Sequence, residues 1–180
     1  MTTLDRRLVV AAGVGALAAA AGGTLAWWRH RVADQDAIAA DALWSLRFER
    51  PQGGTLAMAD FRGKPLVVNF WATWCVPCVR ELPALQRFAR EHASDGWTVL
   101  ALAVDQPVPV LEFIARFKLE LPVALAGIDG LEWQRAMGNR AGALPFSVVL
   151  DARGRVRQRR LGESRHDELV QWAAEIAAGP

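Results

Sequence analysis

From residue 43 onward, the order of hydrophobic and polar positions separates strands from helices. Leu43 to Phe48 and Thr55 to Ala57 have the period of strands and flank PQGG, a Pro/Gly break that predicts a hairpin. Pro65 to Phe70, PLVVNF, is the continuous apolar run expected of a strand buried on both faces. Residues 76 to 92 predict a helix in which Cys78, Leu82, Leu85 and Ala89 recur at intervals of four, three and four, one stripe facing a sheet. Pro83 inside that helix predicts a kink. Trp97 to Val104 predicts a second buried strand, Val108 to Phe117 a helix, Pro122 to Leu125 a short strand, and the next helix runs to about Met137 with Asp129 as its cap. Phe146 to Leu150 predicts a strand, DARG at Asp151 to Gly154 a hairpin turn, and Arg155 to Leu161 its antiparallel return. A helix from about Arg165 to Ala178 closes the pattern. Strands alternating with helices, then a hairpin and a helix, imply an α/β fold whose mixed sheet is flanked by helices.

The pattern is different upstream. Residues 8 to 28, LVVAAGVGALAAAAGGTLAWW, carry no charge and are bracketed by Arg6 and Arg7 before and by Arg29, His30 and Arg31 after. As a helix this stretch would be about 31 Å long, enough to cross a hydrocarbon core of roughly 30 Å. A cleaved signal peptide is the rival reading, since the run is rich in Ala and Gly. Its length and the Trp27-Trp28 pair followed by basic residues favour an uncleaved anchor. The expected organisation is a cytoplasmic N-terminus at 1–7, a transmembrane anchor or uncleaved signal at 8–28, a polar and acidic linker at 29–42, and one soluble domain at 43–180.

Composition narrows the chemistry. The formal net charge of +2 gives no ground for a nucleic-acid partner. Arg153, Arg155, Arg157 and Arg159 alternate as one face of a strand would, a solvated face or one for anionic lipid or an acidic partner. Both cysteines of the chain, Cys75 and Cys78, lie in WATWCVPC, so a disulfide scaffold is excluded and redox or metal chemistry is implied. The strand ends at Phe70 and the helix begins with Cys75, Pro77 and Cys78 in its first turn, where proline loses no backbone hydrogen bond. Unpaired N–H groups and the helix dipole there stabilise a thiolate, which makes Cys75 the nucleophile and Cys78, on the core stripe, the resolving thiol. Two buried structural thiols are the bland alternative. A closed zinc site would need more ligands than one CxxC supplies, and His30, His92 and His166 have no ligand spacing; a transient Cu(I) site with two thiolates stays open.

WCVPC after LVVNF and before a helix resembles the active site of the thioredoxin superfamily, and GKPLVVNFWATWCVPCVRELPAL behind an apolar N-terminal segment resembles the TlpA/ResA-like membrane-anchored thioredoxins. The resemblance covers residue 43 to the C-terminus. It implies a thioredoxin fold with an N-terminal β-hairpin and a central strand-helix insertion at 119–140, preceded by one transmembrane helix. It also implies a cis-proline at Pro145, with Leu144 before it contacting substrate backbone, and a substrate groove that includes Trp74, Val76 and Pro77. Thioredoxins keep a buried carboxylate in the strand before the CxxC, but this chain has Asn69 there. The proton relay is therefore expected from Asp105 first and Glu81 second, with Asp105 equally suited to capping a helix. The implied activity is a thiol:disulfide oxidoreductase whose redox group is the Cys75–Cys78 disulfide, with no other cofactor. It would sit single-pass in a bacterial inner membrane with its domain in the periplasm. It would reduce protein disulfides of the cytochrome c or copper-site maturation type, with electrons from a membrane thiol donor. A copper or haem-assembly chaperone using both thiols as ligands is the alternative.

Overall fold

β3 (Leu66–Trp71) occupies the centre of a five-stranded sheet in the computed structural model, which describes residues 44–179. Parallel to it runs β4 (Thr98–Ala103), followed outward by β5 (Val123–Leu125); on its other side lie β6 (Phe146–Leu150) and β7 (Val156–Leu161), both antiparallel to their neighbours. The order β5-β4-β3-β6-β7 is the mixed sheet expected from the sequence. A separate hairpin pairs β1 (Arg47–Glu49) with β2 (Thr55–Ala57) across the PQGG turn. The anchor, the linker and Leu43 lie outside the described residues. Among the described residues no helix is long and apolar enough to cross a membrane.

β3 reads as an unbroken apolar run because both of its faces are covered. Val67 and Trp71 point to a core built with α1 (Val76–Glu91), α2 (Pro107–Phe117) and α4 (His166–Ala177). Leu66, Val68 and Phe70 point to a second core under the β1–β2 hairpin and α3 (Gly127–Ala136), where Phe70 stacks on Trp133 with ring centroids 5.8 Å apart. The period of two along β3 therefore assigns Asn69 to the α1 face.

Some local expectations change. Trp44 and Ser45 are helical, so the first strand is shorter than Leu43 to Phe48. α3 starts at Gly127 after Ala126, with Asp129 inside its first turn and no side-chain cap, because the left-handed Gly127 (φ +59°) turns the chain two residues earlier. α1 is unbroken and holds Pro83 in its interior, where the sequence places it. The arginine alternation also fails: Arg153 lies in the turn, and Val149 pairs Gln158 while Leu150 pairs Val156, leaving Arg157 as the extra residue of a bulge.

Gly154 in the β6–β7 turn has φ +79°, and a Cβ there would lie 2.8 Å from Trp44 Nε1. Gly154→Ala is accordingly expected to cost about 2–5 kcal/mol, the sum of a left-handed backbone and an overpacked indole. Urea denaturation of the two proteins measures it.

Candidate functional site

β3 ends at Trp71, and the chain crosses WATW into α1 with Cys75 as the N-cap, Val76 as the first helical residue and Pro77 as the second. Pro77 has no N–H, so the free donors of this first turn are those of Val76 and Cys78. Cys75 and Cys78 form a disulfide, their Cα atoms 5.3 Å apart. The two residues are sheltered to different degrees: Cys75 keeps 6% exposure and Cys78 none, as the helical stripe requires.

Around Cys75 the surface is apolar although it faces solvent. Trp74 is 67% exposed, Val76 is 65% exposed, and Ile128 at the start of α3 is 76% exposed. Trp74, Val104 to Gln106 and the Gly127, Ile128 and Leu131 side of α3 enclose a concavity of about 430 Å³. Ile128 and Leu131 were not among the sequence candidates, because nothing local in GIDGLEWQ marks them as neighbours of a CxxC. Phe146 pairs with Phe70, so the preceding Leu144 and Pro145 reach the same sheet end as the disulfide. The Leu144–Pro145 peptide is cis; Pro145 is buried, and its carbonyl accepts a hydrogen bond from Gly162 N at 2.9 Å.

The two carboxylate candidates have different surroundings. Asp105 accepts the N–H of Thr73 at 2.9 Å and its hydroxyl at 2.5 Å on one oxygen, and the N–H of Gln106 at 2.8 Å on the other. It ties the WATW crossing to the start of α2. Glu81 is buried one helical turn after Cys78, on the same face. Asn69 Nδ2 donates to Glu81 Oε1 at 2.7 Å, and Ser164 N donates to Glu81 Oε2 at 2.7 Å. Asn69 Nδ2 also reaches Ser147 Oγ at 3.0 Å, across the Asn69–Ser147 pair of β3 and β6. Burial pushes the Glu81 carboxyl up to about 7, against the opposing hydrogen bonds from Ser164 and Asn69, with the nearby Glu163 charge adding to the rise. Glu163 itself pairs with Arg80 on α1, closing the loop after β7 over this buried cluster.

A carboxyl that ionises near neutral pH, one helical turn from Cys78 on the same face, has the chemistry to take and return a proton under working conditions. Asn69 supplies the donor that orients it, and Ser147 and Ser164 complete a polar cluster that sequence reasoning had not joined. The two described histidines lie elsewhere, and His30 is outside the described residues. His92 faces Asp95 at 3.0 Å and His166 faces Glu91 at 2.7 Å, all at the far end of α1, about 25 Å along the helix from Cys75. Among the described residues no three His, Cys, Asp or Glu side chains group as a metal site.

Comparison with known proteins agrees with this geometry. The Redoxin family model matches residues 39–174. The thiol-disulfide oxidoreductase ResA of Bacillus thuringiensis (strain Al Hakam) is 31% identical over 127 residues, covering 69% of this chain and 70% of that protein. ResA of Geobacillus kaustophilus is 32% identical over 120 residues, covering 66% and 67%. Among solved structures, a thiol:disulfide interchange protein of the thioredoxin family from Chlorobium tepidum TLS superposes with a TM-score of 0.67 at 26% identity, covering 73% of this chain and 92% of that one.

Proposed function

Because the chain belongs to the Redoxin family and is a thiol-disulfide oxidoreductase of the ResA type, we propose that it works as a membrane-anchored reductant of protein disulfides on the periplasmic side of a bacterial inner membrane. The observation that carries the direction of attack is the asymmetry of the two sulfurs. Cys75 caps a helix beside exposed apolar side chains, and Cys78 is sealed behind it next to Glu81.

In the reduced protein the Cys75 thiolate attacks one sulfur of a client disulfide. The new Cys75–client bond forms as the client S–S bond breaks, and the other client sulfur leaves as a thiolate. Glu81 takes the proton of Cys78. The Cys78 thiolate then attacks Cys75 Sγ, closing the Cys75–Cys78 disulfide and releasing the second client sulfur with the electron pair. Trp74, Val76, Pro77, Leu144 and Pro145 form the groove in which the client segment docks. A membrane thiol donor returns two electrons, and Glu81 returns the proton to Cys78. Clients in this reading are cysteine pairs of apocytochrome c or copper sites. The uncharged run 8–28, with tryptophans and arginines at its end, supports the single-pass anchor.

Cys78→Ser leaves the first attack intact and removes the second. The variant is expected to accumulate client proteins bound to Cys75 through disulfides, visible on non-reducing gels and released by dithiothreitol. If no such adducts form while the wild type binds Cu(I) one to one, the chain is a metal-binding module instead.

A further inference from the structure

At the sheet end opposite the disulfide, where Leu66 pairs with Leu150, the surface opens into a groove of about 520 Å³ between the β6–β7 turn and the C-terminal half of α4. Its floor is apolar: Pro65, Trp97, Val170, Ala173 and Ile176. Its rim is basic. Arg153, Arg155 and Arg157 line one side, and Arg62 and Lys64 flank it on the chain leading to Pro65. The acids of the lining are Asp95 and Asp151, so its three arginines leave a cationic excess of one, to which Lys64 next to Pro65 adds. Burial works against the Asp151 charge, but the N–H groups of Arg155 and Arg153 and the Arg155 guanidinium hold its carboxyl below the ordinary range; it stays ionised and pairs with Arg155 at 2.8 Å and Arg157 at 3.6 Å, so the rim's charge toward solvent rests on Arg153 and the outer faces of that pair. Asp95 faces His92.

The described chain begins at this same end. Trp44 is packed against Gly154 of the β6–β7 turn, with the Arg62 guanidinium 6.0 Å from its ring. Residues 29–43 separate Trp44 from the uncharged run 8–28. Fifteen residues span at most about 50 Å by covalent geometry, which bounds the distance between Trp44 and that run. If the uncharged run is the anchor proposed above, a segment of that length keeps this end of the domain within reach of a bilayer, where even a weak contact would be populated.

We propose that this groove seats the domain on an anionic phospholipid surface, its arginines on lipid phosphates and its apolar floor toward the acyl boundary, so that the Cys75–Cys78 end points away from the membrane. The proposal rests on the anchor proposed above. It explains why an arginine-rich rim surrounds an apolar floor at the one end of the sheet that carries no redox chemistry.

The test uses the full chain in nanodiscs of phosphatidylcholine, with and without about one-third phosphatidylglycerol, read by amide hydrogen exchange over residues 151–157 and 170–179. Exchange in both segments is expected to slow at least about fivefold in the anionic discs, the factor that one arginine near such a surface contributes, with Arg155 and Arg157 adding less because they pair with Asp151. Arg153→Glu with Ala174→Glu, both at exposed positions, is expected to remove the protection while leaving reduction of a small soluble disulfide unchanged. Equal exchange in the two lipids overturns the proposal. So does protection that ignores lipid charge and disappears on changing Asp34, Asp36 and Asp41 to Asn, which would make the tether itself the occupant. A chain that does not enter the discs refutes the anchor instead. Sedimentation of that soluble chain with anionic vesicles then decides the groove, and failure to sediment overturns it as well.

Discussion

Cys75→Ser is expected to lower disulfide-reductase turnover by at least about a thousandfold, without unfolding the domain. The reacting species at Cys75 is a thiolate, and a serine hydroxyl in the same place has no anion to offer at neutral pH. Cys78 cannot substitute for it, since no part of Cys78 reaches the surface. The residue is small and keeps 6% exposure at a helix N-cap, a position where serine is itself a preferred residue. Folding of the variant is therefore expected, and circular dichroism checks it. The comparison with Cys78→Ser is the sharper reading. Under single turnover with a labelled peptide disulfide, Cys78→Ser should still form its adduct at close to the wild-type rate, and Cys75→Ser should form none. An adduct on Cys75→Ser would mean that Cys78 opens the reaction and that the buried sulfur becomes accessible on reduction.

The parts of this fold that were legible in the sequence are those fixed by local pattern. β3 could be read from PLVVNF because both of its faces are covered, and α1 from the stripe Cys78, Leu82, Leu85 and Ala89 because that face packs on the sheet. The cluster around Glu81 was harder to read, since it joins Asn69, Ser147 and Ser164, which lie 12 and 83 residues from Glu81 or are linked through a 78-residue separation. Only strand register brings Ser147 opposite Asn69. Glu81 still left a signal: three residues after Cys78, it falls on the buried stripe, where an ionisable side chain is out of place. Asp105 looked equally able to relay a proton or cap a helix, and its spacing carried no trace of Thr73, which holds it from 32 residues away. The arginines of β7 misled for another reason. A period of two holds only while pairing is regular, and the bulge at Arg157 interrupts it.

The same buried carboxyl supplies the second large effect. Glu81 ionises at about 7 in the folded oxidised protein, against an ordinary value of 4.5, so between these values the native state holds a proton that the unfolded chain has already lost. Stability therefore falls as pH rises across that window, by about 3 kcal/mol in total, and is recovered on acidification. Glu81→Gln removes the titration. Its carbonyl can accept from Ser164 N, and its amide can donate to Asn69 Oδ1, which has no hydrogen-bond partner among the described residues, once the Asn69 amide turns over. The variant is expected to be more stable than wild type at pH 8, by about 1–3 kcal/mol after allowing for imperfect replacement bonds, and to show no gain at pH 4.5. Chemical denaturation of the oxidised proteins at the two pH values measures the difference. Function should move the opposite way. Without the Glu81 carboxyl, resolution of the mixed disulfide is expected to slow by about 10²–10³ at pH 7 and to lack the inflection near 7 expected of the wild type, while the first attack by Cys75 is spared. A variant that gains stability at high pH but keeps the wild-type profile of the resolving step would leave Glu81 as a buried structural acid and send the search for the proton acceptor back to the solvent side of Cys75.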